Sequence, residues 1–164
     1  MLDGALEKLI DFGDPQTQAL LDNYVFKIIP VLNPDGVARG QWRTDTKGVD
    51  LNRKYEEPSK WMQPTIHAAK NAVLAEFDKN PESLKMIVDF HAHCSKKGCF
   101  VYGNFNQDLG RQIQAMLLPK LMAINCKFFD FDASRFISSS ENADWPHKEG
   151  RGGSARSVLH RETQ

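Results

Sequence analysis

No stretch of these 164 residues approaches the roughly 20 consecutive apolar residues that a membrane-spanning helix needs. No charge of one sign is in excess either. The 21 Lys and Arg residues balance 21 Asp and Glu, so nothing global points to nucleic acid or to an anionic membrane. Cysteine is scarce. Cys94, Cys99 and Cys126 form no C-x-x-C pair. An odd, sparse count argues against a secreted disulfide scaffold and fits a reducing, cytoplasmic compartment. The amino terminus, M-L-D-G-A-L-E-K-L-I, lacks the basic n-region and apolar core of a signal peptide. Internal repeats and low-complexity tracts are missing as well. What remains is ordinary for a globular protein: 41% hydrophobic and 26% charged residues, in a chain long enough for one domain with a real core.

Periodicity divides the chain into alternating helices and strands. Leu2, Leu6, Leu9 and Ile10 recur at helical spacing. Asp14-Pro15 reads as a cap followed by proline at the first helical position, opening a helix over 16–22. Tyr24 to Leu32 is nearly continuously apolar, as suits a central strand buried on both faces. Pro64 to Phe77 reads as a helix with Ile66, Ala69, Val73, Leu74 and Phe77 on one side, and His67 as a surface or half-buried residue. Lys79 to Ser83 is a turn, Leu84 to Phe90 a second strand, and Phe100 to Tyr102 a short third strand. Asp108 to Ala123 reads as a helix with Leu109, Ile113, Met116, Leu117 and Leu121 inward, kinked or ended early by Pro119. Phe128 to Phe131 suits an extended, packed segment. From Ser138 onward the chain is polar and Gly-rich, with Ser138-Ser139-Ser140 a short loop, and no structure is assigned there. The expected class is α/β.

The stretch Asn33–Tyr55 stands apart: N-P-D-G-V-A-R-G-Q-W-R-T-D-T-K-G-V-D-L-N-R-K-Y. N-P-D-G is turn chemistry, with proline fixing φ and glycine allowing φ > 0. Arg39, Arg43, Lys47 and Arg53 follow, on a long loop leaving a strand end. Two readings stand: an anion site on a rigid scaffold, or a solvated basic loop. The other feature is His91-Ala92-His93 at the end of the second strand. An H-x-H is compatible with metal binding without requiring it. Successive side chains of extended backbone alternate, so Asp89 shares a side with His91. Cys94 and Cys99 lie near the pair, either as further zinc ligands or as spectator thiols.

N-P-D-G, then W-R, then G-V-D-L-N-R, then D-F-H-A-H-C-S-K-K-G-C-F-V-Y-G-N together resemble the zinc metallocarboxypeptidases of the carboxypeptidase A superfamily. Within it the chain is similar to the cytosolic carboxypeptidases, which shorten glutamate chains on tubulin. The run S-K-K-G-C-F-V-Y-G-N looks most like the branch-point deglutamylase subgroup. The resemblance is densest between Val25 and Gly103, so the motif-bearing core is taken as 24–104 and the tail as 138–164, in one partial catalytic domain over 1–164. It implies the central part of a mixed sheet of about eight strands between helices, truncated at both ends.

The resemblance also implies roles. His91 matches the zinc ligand at a strand end, and one Zn2+ per complete domain is the implied cofactor. Arg43 matches the arginine that stabilises the tetrahedral oxyanion. Asn52 and Arg53 match the pair that grips the terminal carboxylate of the substrate. Asp50 matches a carboxylate that orients a zinc-bound imidazole, with pairing to Arg53 or Lys47 as its other reading. His93 is taken as a supporting residue, and Asp35 and Gly36 as architectural. Arg39, Lys96 and Lys97 would favour an acidic substrate. Implied partners are glutamylated tubulin and other acidic tails, with no nucleic acid or membrane, in a cytoplasmic, microtubule-associated setting.

Two pieces of that chemistry are missing. The sequence has no H-x-x-E, the motif that supplies two zinc ligands in the family. Glu141, Glu149 and Glu162 are the late candidates for the general base, and none sits in an apolar strand. The chain alone is therefore expected to be inactive. A non-catalytic module holding acidic C-terminal tails is the second reading. A metal-dependent barrel with an H-x-H is the third, and it would need about 250 residues.

Overall fold

The computed structural model describes residues 2–93, 95–137 and 153–164. Helices and a small parallel sheet make the chain α/β. Helix α1 (Leu2–Leu9) and helix α2 (Pro15–Asn23) fall where the pattern puts them. Asp14 caps α2 by accepting from the Thr17 N–H at 2.9 Å, and Pro15 occupies the first turn, where its missing N–H costs nothing. The fully buried Thr17 donates its hydroxyl to the Lys8 carbonyl at 2.8 Å, tying α2 to α1.

The N-P-D-G stretch is helical rather than a turn. Helix α3 (Pro34–Ala38) starts at Pro34, and Asn33 caps it by accepting from the Gly36 N–H at 3.0 Å. Gly36 is required by close approach and not by a positive φ. A Cβ there would overlap the Asn33 amide and lie 2.6 Å from the Thr44 carbonyl. A 3-10 turn (Leu51–Arg53) follows, and then helix α4 (Pro64–Lys79), whose Ile66 and Ala69 are buried as expected. A second 3-10 turn covers Pro81–Ser83.

Strand β1 (Tyr102–Asn104) lies two residues beyond the expected third strand. Helix α5 (Leu109–Asn125) carries the chain over to strand β2 (Arg135–Ile137), which pairs in parallel with β1. A parallel pair needs such a crossover. An isolated bridge between Cys99 and Phe129 extends the pairing, so the 128–131 segment packs through the buried Phe129 while Phe128 stays exposed.

Five further expectations are corrected. Tyr24–Leu32 and Leu84–Phe90 are not strands: neither joins a ladder among the described residues, and nearly all of their side chains are exposed. A continuous apolar run becomes a central strand only with neighbours on both edges and cover on both faces, and the described residues provide neither. In α5, Leu109, Ile113, Leu117 and Leu121 are exposed, and Pro119 is the buried residue. Nor does Pro119 end that helix early, because α5 continues to Asn125. Finally, the unassigned tail contains helix α6 (Ala155–Glu162), while the expected Ser138–Ser140 loop lies outside the described residues.

Helix α6 completes the core. Ala155, Val158 and Leu159 pack with Leu51, Tyr55 and Ile66, and Leu32 and Val73 close against them. Local chemistry explains why a polar sequence becomes a helix here. Ser154 caps it by accepting from the Ser157 N–H, and His160 and Arg161 occupy the last turn, where the helix dipole favours cations. Arg156 Nη1 donates to Asn104 Oδ1 at 2.6 Å and to the Gly103 carbonyl at 3.1 Å, fastening α6 to β1. Lys70 of α4 donates to Glu162 at 2.9 Å and to the Glu56 carbonyl at 2.8 Å.

Candidate functional site

The Arg-rich loop is an ordered scaffold rather than a solvated tail. Asn33 Nδ2 donates to the Thr44 carbonyl at 2.9 Å, and Thr44 bridges to Asp50 across the loop. Asp45 Oδ1 accepts from the Lys47 and Val49 N–H groups, both at 2.8 Å, closing the tip. The loop ends in the 3-10 turn, which Asp50 caps by accepting from the Asn52 N–H at 3.0 Å.

Arg43, Asp50, Asn52 and Arg53 meet on this turn. Arg43 Nε donates to Asp50 Oδ2 at 2.7 Å, and Arg53 Nε lies 4.0 Å from the same oxygen. Asp50 thus pairs with Arg43 first and Arg53 second, and not with Lys47, whose ammonium reaches Met62 Sδ at 3.5 Å. Arg53 Nη1 donates to the Asn52 carbonyl at 2.8 Å. Asn52 Oδ1 accepts from the Ala155 N–H at 2.9 Å. The nitrogen end of that carboxamide is the end a carboxylate would need.

His91 is half-exposed, with its Nδ1 3.4 Å from Asp89 Oδ2, so the expectation that the two share a side holds. The Asp89 carboxylate raises the imidazole above its ordinary value, against the opposing effect of burial. Arg43 lowers it and Asp50 raises it, both by less than Asp89 does. Asp89 also acts on the buried Tyr55, whose phenol is pushed up to about 12, chiefly by burial.

His93 is a structural residue. Its Nδ1 accepts from the N–H groups of Ser95 at 3.2 Å and Lys96 at 3.1 Å, and its Nε2 meets the Tyr102 hydroxyl at 3.3 Å. The ring packs edge-on against Phe100 and Tyr102. Lys96 sits over the same two rings and donates to the Ala133 carbonyl at 2.9 Å. Arg39 and Lys97 are exposed.

The sequence of the zinc carboxypeptidase family matches residues 2–107, a span that contains all of these groups except Ala155 and Ala133. The chain belongs to the zinc carboxypeptidase family. It is 39% identical over 147 residues to cytosolic carboxypeptidase 6 of Caenorhabditis elegans, covering 87% of this chain and 32% of that protein. It is 37% identical over 131 residues to cytosolic carboxypeptidase 6 of Mus musculus, covering 78% of this chain and 24% of that protein. It is 28% identical over 239 residues to cytosolic carboxypeptidase-like protein 5 of Mus musculus, covering 93% of this chain and 27% of that protein. The chain thus spans about a third or less of the curated relatives it matches.

Membership implies zinc, and the residues fit it in part. A carboxylate beside one nitrogen of His91, with the other nitrogen left for a metal, is the usual setting of a metal-binding imidazole. Yet among the described residues no three His, Cys, Asp or Glu groups come together to hold an ion. Cys94, Glu141 and Glu149 lie outside the described residues. Glu162 is held by Lys70 in the α4–α6 contact, so it is a structural acid. His91 has the setting of a ligand, but no further ligands join it among the described residues, and no reaction step is drawn through the metal.

Sequence reasoning missed the role of α6 in this site. Its residues lie about 100 positions from Asn52 and carry no motif; the buried pair Val158-Leu159 was the available signal.

Proposed function

We propose that this member of the zinc carboxypeptidase family carries the substrate-carboxylate face of an enzyme that removes C-terminal or branch-point glutamate from acidic protein tails, such as those of tubulin. The gathering of Arg43, Asn52 and Arg53 around Asp50 carries this reading. Asn52 and Arg53 grip the free carboxylate, and Arg43 faces the carbonyl oxygen on which charge develops. Asp50 holds Arg43 in place, and His91 is a zinc ligand. The cytosolic names of the relatives support a cytoplasmic setting, and a tubulin substrate would bring the protein to microtubules.

Hydrolysis needs zinc ligands and a general base beyond those assembled among the described residues, so the 164-residue chain alone binds without cleaving. A binding module for acidic tails is the second reading, favoured by the Asn52–Ala155 bond, which fixes the turn through protein contacts alone.

The test is the affinity of the chain for a glutamate-terminated peptide against the same peptide amidated at its C-terminus. The free carboxylate should bind at least tenfold tighter, and Arg53→Ala should abolish the preference, since a charge-assisted hydrogen bond contributes roughly 1.5–3 kcal/mol. Equal binding of the two peptides would end the carboxylate reading. Zinc-dependent glutamate release by the chain alone would show that it holds a complete site.

A further inference from the structure

The carboxylate-gripping turn is bolted to the start of α6 at three points. Asn52 Oδ1 accepts from the Ala155 N–H at 2.9 Å. The Tyr55 N–H donates to the Gly153 carbonyl at 3.0 Å. Gly153 itself lies flat against Arg53, where a Cβ would stand 2.6 Å from the Arg53 carbonyl oxygen and 3.1 Å from its carbon. The three contacts fall on Asn52 and Arg53 themselves and on Tyr55 just beyond them. They are made by backbone groups of a capped helix start that the buried Ala155, Val158 and Leu159 anchor in the core.

The chemistry of the Asn52 bond is directional. A carboxamide has one acceptor oxygen and one donor nitrogen. With the oxygen taken by Ala155, the amide cannot turn over without losing that bond, so its Nδ2 is the end presented away from α6. A carboxylate needs donors only. An amide free to flip would offer it the repelling oxygen for part of the time.

We infer that Gly153 is a positioning residue for the carboxylate grip: it lets α6 approach close enough for the Ala155 N–H to lock the Asn52 amide with its donors toward the substrate. The inference rests on the carboxylate reading proposed above. Nothing in the family match assigns a role to this position, which lies beyond residue 107. A side chain at Gly153 must push Arg53 or lift the helix start, because the opposing atoms are backbone and cannot swing aside. Either movement breaks the amide lock.

The experiment compares wild type, Gly153→Ala and Ala155→Pro in the full chain. It measures the ratio of affinities for a short acetylated glutamate peptide with a free or an amidated C-terminus. A purely structural role would lower the folded fraction and weaken both peptides alike, leaving the ratio unchanged. The inference expects the free-over-amide ratio of Gly153→Ala to fall about tenfold with helix content retained, the loss of one hydrogen bond to a charged group. Should Gly153→Ala fail to fold, Ala155→Pro decides. It removes the N–H that holds the Asn52 oxygen, at the first position of α6 where proline is tolerated, and leaves Asn52 itself intact, so a folded variant with loss of the ratio supports the lock. A folded Gly153→Ala with the wild-type ratio, or a folded Ala155→Pro with an unchanged ratio, overturns it. A wild-type chain with no preference for the free carboxylate removes the carboxylate reading and this inference together.

Discussion

Replacing Val158 by alanine should destabilise the chain more than replacing Leu109, although Leu109 is the larger residue. Val158 is fully buried in the cluster formed with Leu51, Tyr55 and Ile66, whereas Leu109 is 72% exposed on the first turn of α5. Val158→Ala deletes two methyl groups, at ~0.8 kcal/mol each for transfer from water. The cavity left behind adds to that, and the better helix propensity of alanine returns about 0.5 kcal/mol. The net cost is about 1.5–2.5 kcal/mol. Leu109→Ala removes little buried surface and should stay within about 0.5 kcal/mol of wild type. In thermal terms Val158→Ala lowers the midpoint by roughly 3–10 °C. Urea denaturation followed by circular dichroism measures both variants. The sequence pattern alone, with Leu109 inward and the tail unstructured, predicts the reverse order. A Leu109→Ala cost larger than that of Val158→Ala would refute the placement of α6 in the core.

The Lys70–Glu162 pair gives a second test of the same packing. Lys70 is nearly buried, with a side chain 11% exposed, while Glu162 is 28% exposed. Glu162→Leu leaves the ammonium with only the Glu56 carbonyl and should cost roughly 1–3 kcal/mol, and adding Lys70→Met should recover most of it. Additive costs in the double variant would show that the two groups are not coupled. Glu76 supplies the pH dependence. Its carboxyl is lowered to about 2, first by Lys27, then by Lys79. A depressed folded-state value means that its stabilising contribution is complete above the ordinary 4.5 and disappears as the pH falls through about 2. An NMR titration of the Glu76 side chain should therefore show a midpoint well below 4.5, moving back toward it in Lys27→Met. A wild-type midpoint at 4.5 would show that the Lys27 contact does not persist in solution.

Local signals were legible wherever the chain satisfies itself. Asp14-Pro15 opened α2, and Pro64 with Ile66 and Ala69 marked both the start and the inner face of α4, because a cap or a proline acts on its own turn. The residues of the site were legible by type through the family motif. What the sequence concealed depends on partners. The stripe of α5 announces a helix with one apolar side, but amphipathicity does not name the surface that side will meet, and Ile113 and Leu117 remain exposed. Pro119 costs one backbone bond without ending the helix, and its burial offsets part of that loss. The apolar runs 24–32 and 84–90 have the composition of strands, yet pairing is a property of two segments and not of one. Helix α6 was hidden because much of its surface is polar, with Arg156, His160, Arg161 and Glu162, while its few apolar groups are the ones that reach the core.

On the carboxylate reading proposed above, the geometry of the grip follows from how each polar group divides its work. Arg43 meets Asp50 through Nε, so the carboxylate holds the guanidinium in place while its terminal nitrogens form the outer edge of the fork. Asn52 spends its oxygen on Ala155 and its backbone N–H on Asp50, which leaves the donor end of its carboxamide for a ligand. In both residues the bond that fixes the side chain uses the end an anion does not need. A solvated basic loop would have to order two long side chains at the moment of binding, at ~0.5–1.5 kcal/mol each. Here Asp50 and α6 meet that cost during folding. The Asp50 charge also keeps two adjacent guanidinium groups from repelling each other when no ligand is bound. An anion arriving at the turn meets oriented donors with little left to reorganise, which is the condition under which such groups discriminate a free carboxylate from an amide.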